Sequence, residues 1–215
     1  DGGLDAGLQV VAGQAQVVTT KNGIKIGVYC GFNINDGYFV PTTDECVNAI
    51  NQMKADGAEY IVMAFHWGKE LYYKPTQKMI DLAQACIDPG ADLIYGTHPH
   101  VLGPIVEYNG GIIMYSVGNW SFGGNTQPTD QDTAIIQVTI KRDVDGSITT
   151  EGYDSIPCCV SSNMSGGDGY NDYKPTPYEE GSEGYNRVLS KLTGEFEATS
   201  QGADYSGWLA SRAGG

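Results

Sequence analysis

Between residues 24 and 95 the hydrophobic period of this chain switches four times, and that alternation limits the fold more than any other feature. IKIGVYC (24–30) is short, β-branched and bounded by Asn22-Gly23 and Gly31, the pattern of a strand. TTDECVNAINQMKADG then repeats at helical spacing through Cys46, Ile50 and Met53, with Thr43 or Asp44 as cap and Gly57 where a helix would stop in a left-handed residue. EYIVMAF is a continuous apolar run of strand length that ends at His66. PTQKMIDLAQACIDPG returns to the helical period through Met79, Ala83, Cys86 and Ile87 and is closed by Pro89-Gly90, and ADLIY follows as another buried strand. Strands that are apolar throughout, alternating with helices, predict parallel pairing with helices covering at least one face.

Beyond residue 100 the style changes. VLGPIVEY and GIIMYSV are joined by Asn109-Gly110-Gly111, and a second pair of strand-like segments flanks Asp145-Gly146, so two hairpins are predicted and the sheet becomes partly antiparallel. Residues 161–184 are Gly, Asn, Asp, Pro and Tyr without period, which reads as a long surface loop. YNRVLSKLTGEF reads as a short amphipathic helix. The expected division is a linker or the end of a preceding part over 1–23, one domain over 24–196 and a flexible tail over 197–215.

A net charge of −14 with only 12 Lys and Arg argues against nucleic acid as a partner, because neutralising phosphates takes clustered cations. No apolar run approaches the roughly 18 to 20 residues that span a bilayer, and DGGLDAGLQV has neither the basic nor the apolar region of a signal peptide, so a water-soluble domain is expected. The first residue is not Met, and an amino-terminal portion is expected to precede it. Five cysteines, Cys30, Cys46, Cys86, Cys158 and Cys159, form no C-x-x-C pair and mostly lie in apolar stretches, which reads as buried thiols, with a disulfide left open.

All three histidines stand at the downstream ends of the apolar runs, His66 after EYIVMAF and His98 and His100 after ADLIYGT. In an open α/β sheet the carboxyl ends of parallel strands line one rim, where ligands bind. In an extended segment positions i and i+2 face one side, so His98 and His100 can reach one point, with Pro99 stiffening the backbone and Gly96 permitting a close approach. Neutral imidazole is a ligand for Zn, Mn and Fe, ions that polarise phosphoryl or acyl oxygens and acidify water. The alternative is that these histidines are structural hydrogen-bonding residues.

Three motifs occur in order: HWGKE (66–70), GADLIYGTHPHV (90–101) and YSVGNWSF (115–122). Together they resemble the carboxyl-terminal part of the CapA family of bacterial capsule synthesis proteins, associated with poly-γ-glutamate, which in turn resemble calcineurin-like metallophosphoesterases. The resemblance covers roughly residues 24–192. It implies a four-layer α/β/β/α sandwich of the metallophosphoesterase kind, with a two-metal centre of divalent Mn, Fe or Zn at the strand ends. It makes His66, His98 and His100 metal ligands and gives His66, His98, Glu70 and Asn119 catalytic or substrate-side roles. Glu70 could equally be a solvated loop carboxylate, and Asn119 a turn residue tolerating a left-handed backbone; Trp67 and Trp120 are expected to wall the site.

The family's upstream motifs, a Gly-Asp and later an Asn/His segment, have no counterpart here. Three neutral imidazoles bring no anionic charge to offset two divalent cations, and Asp36 and Glu70 are the nearby carboxylates, neither with ligand-like spacing. The chain alone is therefore expected to bind metal weakly or singly. The resemblance implies an anionic polymer or phosphoester as substrate, membrane-bound capsule synthesis subunits as partners, and an extracytoplasmic place at the cell surface, reached through an anchor outside this chain. The rival readings are a non-catalytic scaffold or binding subunit of a capsule assembly, whose working surface would be the 161–184 loop, and a mononuclear zinc hydrolase using the three histidines as they stand.

Overall fold

The computed structural model describes residues 14–31, 41–123, 125–163 and 170–198. Six strands form the larger sheet: β1 (Ala15–Thr19), β2 (Lys25–Gly31), β3 (Tyr60–His66), β4 (Leu93–Thr97), β5 (Ile105–Tyr108) and β6 (Gly111–Met114), in the spatial order β1-β2-β3-β4-β6-β5. β2, β3, β4 and β6 run parallel, and β1 and β5 close the two edges antiparallel. Helices α1 (Thr43–Ala55) and α2 (Gln77–Ile87) are the crossovers that parallel pairing demands. β7 (Asp132–Arg142), β8 (Ile148–Cys159) and the two-residue β9 (Thr176–Pro177) form a smaller antiparallel sheet, and α3 (Glu183–Thr193) packs on β7, β8 and β5.

Two cores follow from the two faces of the larger sheet. Alternate residues Ile61, Met63 and Phe65 of β3, with Ile94 and Ile113, meet Cys46, Ile50 and Met53 of α1 and Met79, Ala83 and Cys86 of α2. On the opposite face Ile105, Ile112 and Met114 meet Ala134, Ile136 and Val138 of β7 and Val188 and Leu192 of α3. The α/β class and the two stacked sheets are as the sequence implied. Among the described residues β7 is paired along its length only with β8, and its other edge touches the larger sheet's chain at one bridge, Gly118 to Thr133.

Several local expectations shift. The cap of α1 is Thr42, not Thr43 or Asp44: its hydroxyl accepts from the Glu45 amide while the Glu45 carboxylate accepts from the Thr42 amide, a reciprocal box that fixes the start one residue earlier. Gly57 is left-handed after the helix, as expected. The strand read at ADLIY begins two residues later, because Asp92 turns its carboxylate onto the Ile61 amide at 2.7 Å and holds the entry to β4. β1 is not among the expected strands: Asn22-Gly23, read as the boundary of β2, is also the turn of a β1–β2 hairpin that the period of 24–95 does not include. Both hairpins form, around Asn109-Gly110 and Asp145-Gly146, and the 161–184 segment contains β9 against β8. All five cysteines are free, and Cys46, Cys86, Cys158 and Cys159 are buried; contact with Cys86 and then burial push the Cys46 thiol up. The expected tail lies outside the described residues from residue 199 onward.

The tightest point in the sheet is Gly96, where β4 lies against the chain leaving β6. A Cβ there would stand 2.5 Å from the Trp67 indole nitrogen, which is held by its bond to the Tyr115 carbonyl, and 2.7 Å from the backbone carbonyl oxygen of Met114. Gly96→Ala is therefore expected to lower stability by about 3 kcal/mol, a fall in Tm of roughly 6–12 °C, in a thermal melt followed by circular dichroism.

Candidate metal centre

The parallel register pairs His66 with Thr97, which brings the ends of β3 and β4 level at one rim. The Thr97 hydroxyl donates to the Phe65 carbonyl at 3.2 Å and stands 3.3 Å from His66 Nδ1. With its proton so used, Thr97 Oγ1 can only accept from His66, which assigns the ring proton of neutral His66 to Nδ1. The backbone continues from the amide of Trp67, bonded to the Thr97 carbonyl. Trp67 itself is a floor: it is 1% exposed, stacks near Phe65 and Tyr115, and donates its indole N–H to the Tyr115 carbonyl at 2.9 Å.

His98 and His100 do converge, but not by strand alternation. β4 ends at Thr97, and both histidines have left-handed backbones, with φ of 100° and 58°. Such conformations in non-glycine residues cost of order 1–3 kcal/mol and persist where the surroundings over-determine them. Here Pro99 is buried and its carbonyl accepts from the Leu71 amide at 2.8 Å, so the turn is pinned from the loop that follows β3. The rings of His66 and His98 lie 4.6 Å apart by centroid, and those of His98 and His100 6.0 Å.

Asn119 grips His100 at two points. Its Oδ1 lies 2.7 Å from His100 Nδ1, and its Nδ2 donates to the His100 carbonyl at 3.2 Å. The second bond orients the amide, so Oδ1 must accept from Nδ1–H, and His100 presents a lone pair on Nε2. Asn119 is thus buried behind the ring, at 8% exposure. Phe122 covers the other side of the His100 ring at 4.9 Å. Residue types alone gave no reason to single out Thr97 or Phe122, although both belong to the quoted motifs.

The same pin at Leu71 delivers the adjacent Glu70. One ligand-capable atom from each of Glu70, His98 and His100 lies within 4.8 Å of the others, the single such group among the described residues. Around an ion with bonds near 2.1 Å, ligand atoms are roughly 3–3.5 Å apart, so closure takes an ångström or so of side-chain rotation, easiest for exposed Glu70. Two imidazoles and a carboxylate are a donor set suited to Zn, Mn or Fe(II) with coordination positions left open. Glu70 has no ligand-like spacing along the sequence, and it is the loop fold that brings it to His98 and His100. His66 stands beside this trio, its ring against His98. Asp36 lies outside the described residues.

Burial, then the charges of His98 and His100, hold His66 below its ordinary value of 6.5; burial also depresses His98, opposed by Glu70 and reinforced by His100. Neutral, metal-competent imidazole is favoured in both. A cleft of about 310 Å³ opens next to Asn119 between the two sheets, lined by Leu93, Tyr95, Met114, Trp120, Ile136 and Val138 among others. Trp120 is 44% exposed there, so it walls this cleft and not the histidine rings.

Fold and rim define the class: a two-sheet α/β protein with histidines and a carboxylate gathered where parallel strands end. The family model described as "Bacterial capsule synthesis protein PGA_cap" matches residues 6–123, more than half of the chain, and the chain belongs to that family. The PGA biosynthesis protein CapA of Bacillus subtilis (strain 168) is 43% identical over 89 residues, which is 41% of this chain and 23% of that protein. The capsule biosynthesis protein CapA of Bacillus anthracis is 41% identical over 88 residues, 41% of this chain and 21% of that protein. The matched stretch thus spans less than a quarter of these relatives. A structure of a 5'-nucleotidase precursor from Thermus thermophilus aligns over 97% of this chain and 39% of its own, at 15% identity and a TM-score of 0.48.

Two measurements check the site as it stands. Nitrogen-15 imidazole spectra at pH 8 should show His100 protonated on Nδ1, and Asn119→Ala should shift it toward the Nε2–H tautomer. Because His66 and His98 bind protons less readily folded than unfolded, their contribution to stability is full above pH about 6.5 and is lost as pH falls through the folded values. Unfolding free energy should therefore drop more steeply between pH 7.5 and 5 in the wild type than in a His66→Asn/His98→Asn variant.

Proposed function

We propose that this chain carries a divalent-metal centre of a metallophosphoesterase-like hydrolase serving capsule or poly-γ-glutamate biosynthesis. The observation that carries the reading is the meeting of Glu70, His98 and His100, with Asn119 leaving His100 Nε2 free to ligate. When bound there, a divalent ion would supply Lewis acidity toward a phosphoryl or acyl oxygen and acidify a water. Glu70, His98 and His100 would hold it. His66, its Nδ1 held by Thr97 at the rim beside His98, would take a proton from the attacking group and return it to the leaving group.

A dinuclear centre is part of the proposal, and its second ion needs ligands beyond the one trio among the described residues. Relatives more than four times as long as the matched stretch have room to supply them. The substrate would be a phosphoester or an anionic polymer, the partners membrane-bound capsule synthesis subunits, and the place extracytoplasmic, at the cell surface. The relatives' capsule-related names support this setting. Among the described residues no helix is long and apolar enough to cross a membrane. A charge of −14 repels a polyanion, so cations at the site would have to mediate the encounter. That same charge favours the second reading, a non-catalytic scaffold or binding subunit that keeps the fold and a residual site.

Metal analysis of the full-length protein, joined to hydrolysis of a generic phosphodiester, separates the two. The enzyme reading expects bound divalent metal, and loss of metal together with at least about a 100-fold loss of turnover in His98→Ala and His100→Ala. Metal content and turnover unchanged by both substitutions would leave the scaffold.

A further inference from the structure

Lys191 is a lysine in the interior: its side chain is 2% exposed, and all three of its ammonium protons are used. Nζ lies 2.8 and 2.7 Å from the two oxygens of Asp130 and 2.6 Å from Asp132 Oδ2, with the rings of Tyr73 and Phe196 at 5.1 and 5.0 Å. Arg187 grips Asp132 with two parallel bonds of 2.7 and 2.8 Å, and the Tyr178 hydroxyl donates to the same carboxylate at 2.9 Å. Burial pushes the Asp132 carboxyl up, but Arg187 and Lys191 outweigh it and hold it low. Two cations and two anions cancel. Such a cluster stabilises a core little better than apolar side chains of the same volume would, so its contribution is directional.

Two paths lead from it to the histidine rim. Asp130 lies beside the Tyr73 phenol, which burial and that carboxylate raise above its ordinary value, and the Tyr73 ring packs on Phe196. Tyr73 lies two residues beyond Leu71 in the loop between β3 and α2, the loop whose Leu71 amide bonds Pro99 and so carries Glu70 to the trio. In the other direction Asp132 adjoins Thr133, which bridges Gly118, the neighbour of Asn119 behind His100.

We propose that Lys191 is a positioning residue that sets the distance between Glu70 and His100 by tying the loop after β3, through Asp130 and Tyr73, and the Asn119 segment, through Asp132, to helix α3. The metal half of this rests on the proposed centre; the loop half does not. Removing the ammonium frees Tyr73 and Asp130 from each other's neighbourhood, and the Leu71 to Pro99 bond opens more often. Glu70 then swings out of ligand distance while the histidine turn stays.

The test uses the full-length apo protein, with Lys191→Met and the milder Tyr73→Phe, which keeps the ring and deletes only the hydroxyl. Hydrogen-exchange mass spectrometry of the peptide containing Leu71 should show exchange faster by about tenfold in both, and Mn²⁺ titration should show affinity weaker by about 10–100-fold. Lys141→Met, a surface lysine paired with Asp143 and Glu151, should change neither. A purely structural role would lower Tm while leaving exchange at Leu71 and Mn²⁺ affinity of the folded protein unchanged, and that result overturns the proposal. Should Lys191→Met fail to fold, Tyr73→Phe decides alone on the same two readouts. If the wild type takes up no Mn²⁺, the metal centre is refuted, and the exchange rate at Leu71 still decides whether Lys191 holds the loop.

Discussion

Everything at the rim depends on how closely the chain after β6 can lie against β4 at Gly96. The bare α-carbon lets the Trp67 indole reach the Tyr115 carbonyl across β4, which joins the end of β3 to the segment leaving β6 over the strand between them. Once those three ends are level, the chain leaving β4 has nowhere to go but into a tight turn. That turn is GTHPH. The positions of His66, Asn119 and Glu70 are then set by elements that each touch it: Thr97 for the first, the His100 carbonyl for the second, the Pro99 carbonyl for the third.

How much of this could be read from residues depends on the range of the interactions involved. Elements fixed by local period and local caps were legible: α1, α2, the parallel strands and both hairpins all follow from patterns about a dozen residues wide. β1 was missed although Val17, Val18 and Thr19 are β-branched and Asn22-Gly23 follows, because five half-exposed residues are confirmed as a strand only by their register with β2. Convergence of His98 and His100 was expected for the wrong reason, since an extended backbone was assumed where two left-handed residues occur. Glu70 illustrates the opposite error. Its distance along the chain from the histidine pair said nothing about a loop pinned back by one amide. Lys191 was invisible in the same way: in YNRVLSKLT it falls on a helix that reads as amphipathic and surface-lying, and only Asp130 and Asp132, far upstream in the chain, explain its burial.

The acidic character of the chain and its candidate chemistry fit together only through cations. Near the trio, Glu70 contributes negative charge while His66 and His98 are held toward neutrality, so the rim attracts positive ions before it can attract anything anionic. Under the proposed function, an ion would therefore bind before an anionic group. The apolar cleft beside Trp120 adds no charge to this balance.

The left-handed histidines carry one more implication. Glycine or asparagine at positions 98 and 100 would relax both backbones, but removing the His100 ring would leave buried Asn119 Oδ1 without its donor, so backbone ease and side-chain pairing pull in opposite directions there. The turn is thus held by its own side chains: the ring that strains the backbone at position 100 also supplies the donor that keeps Asn119 in place.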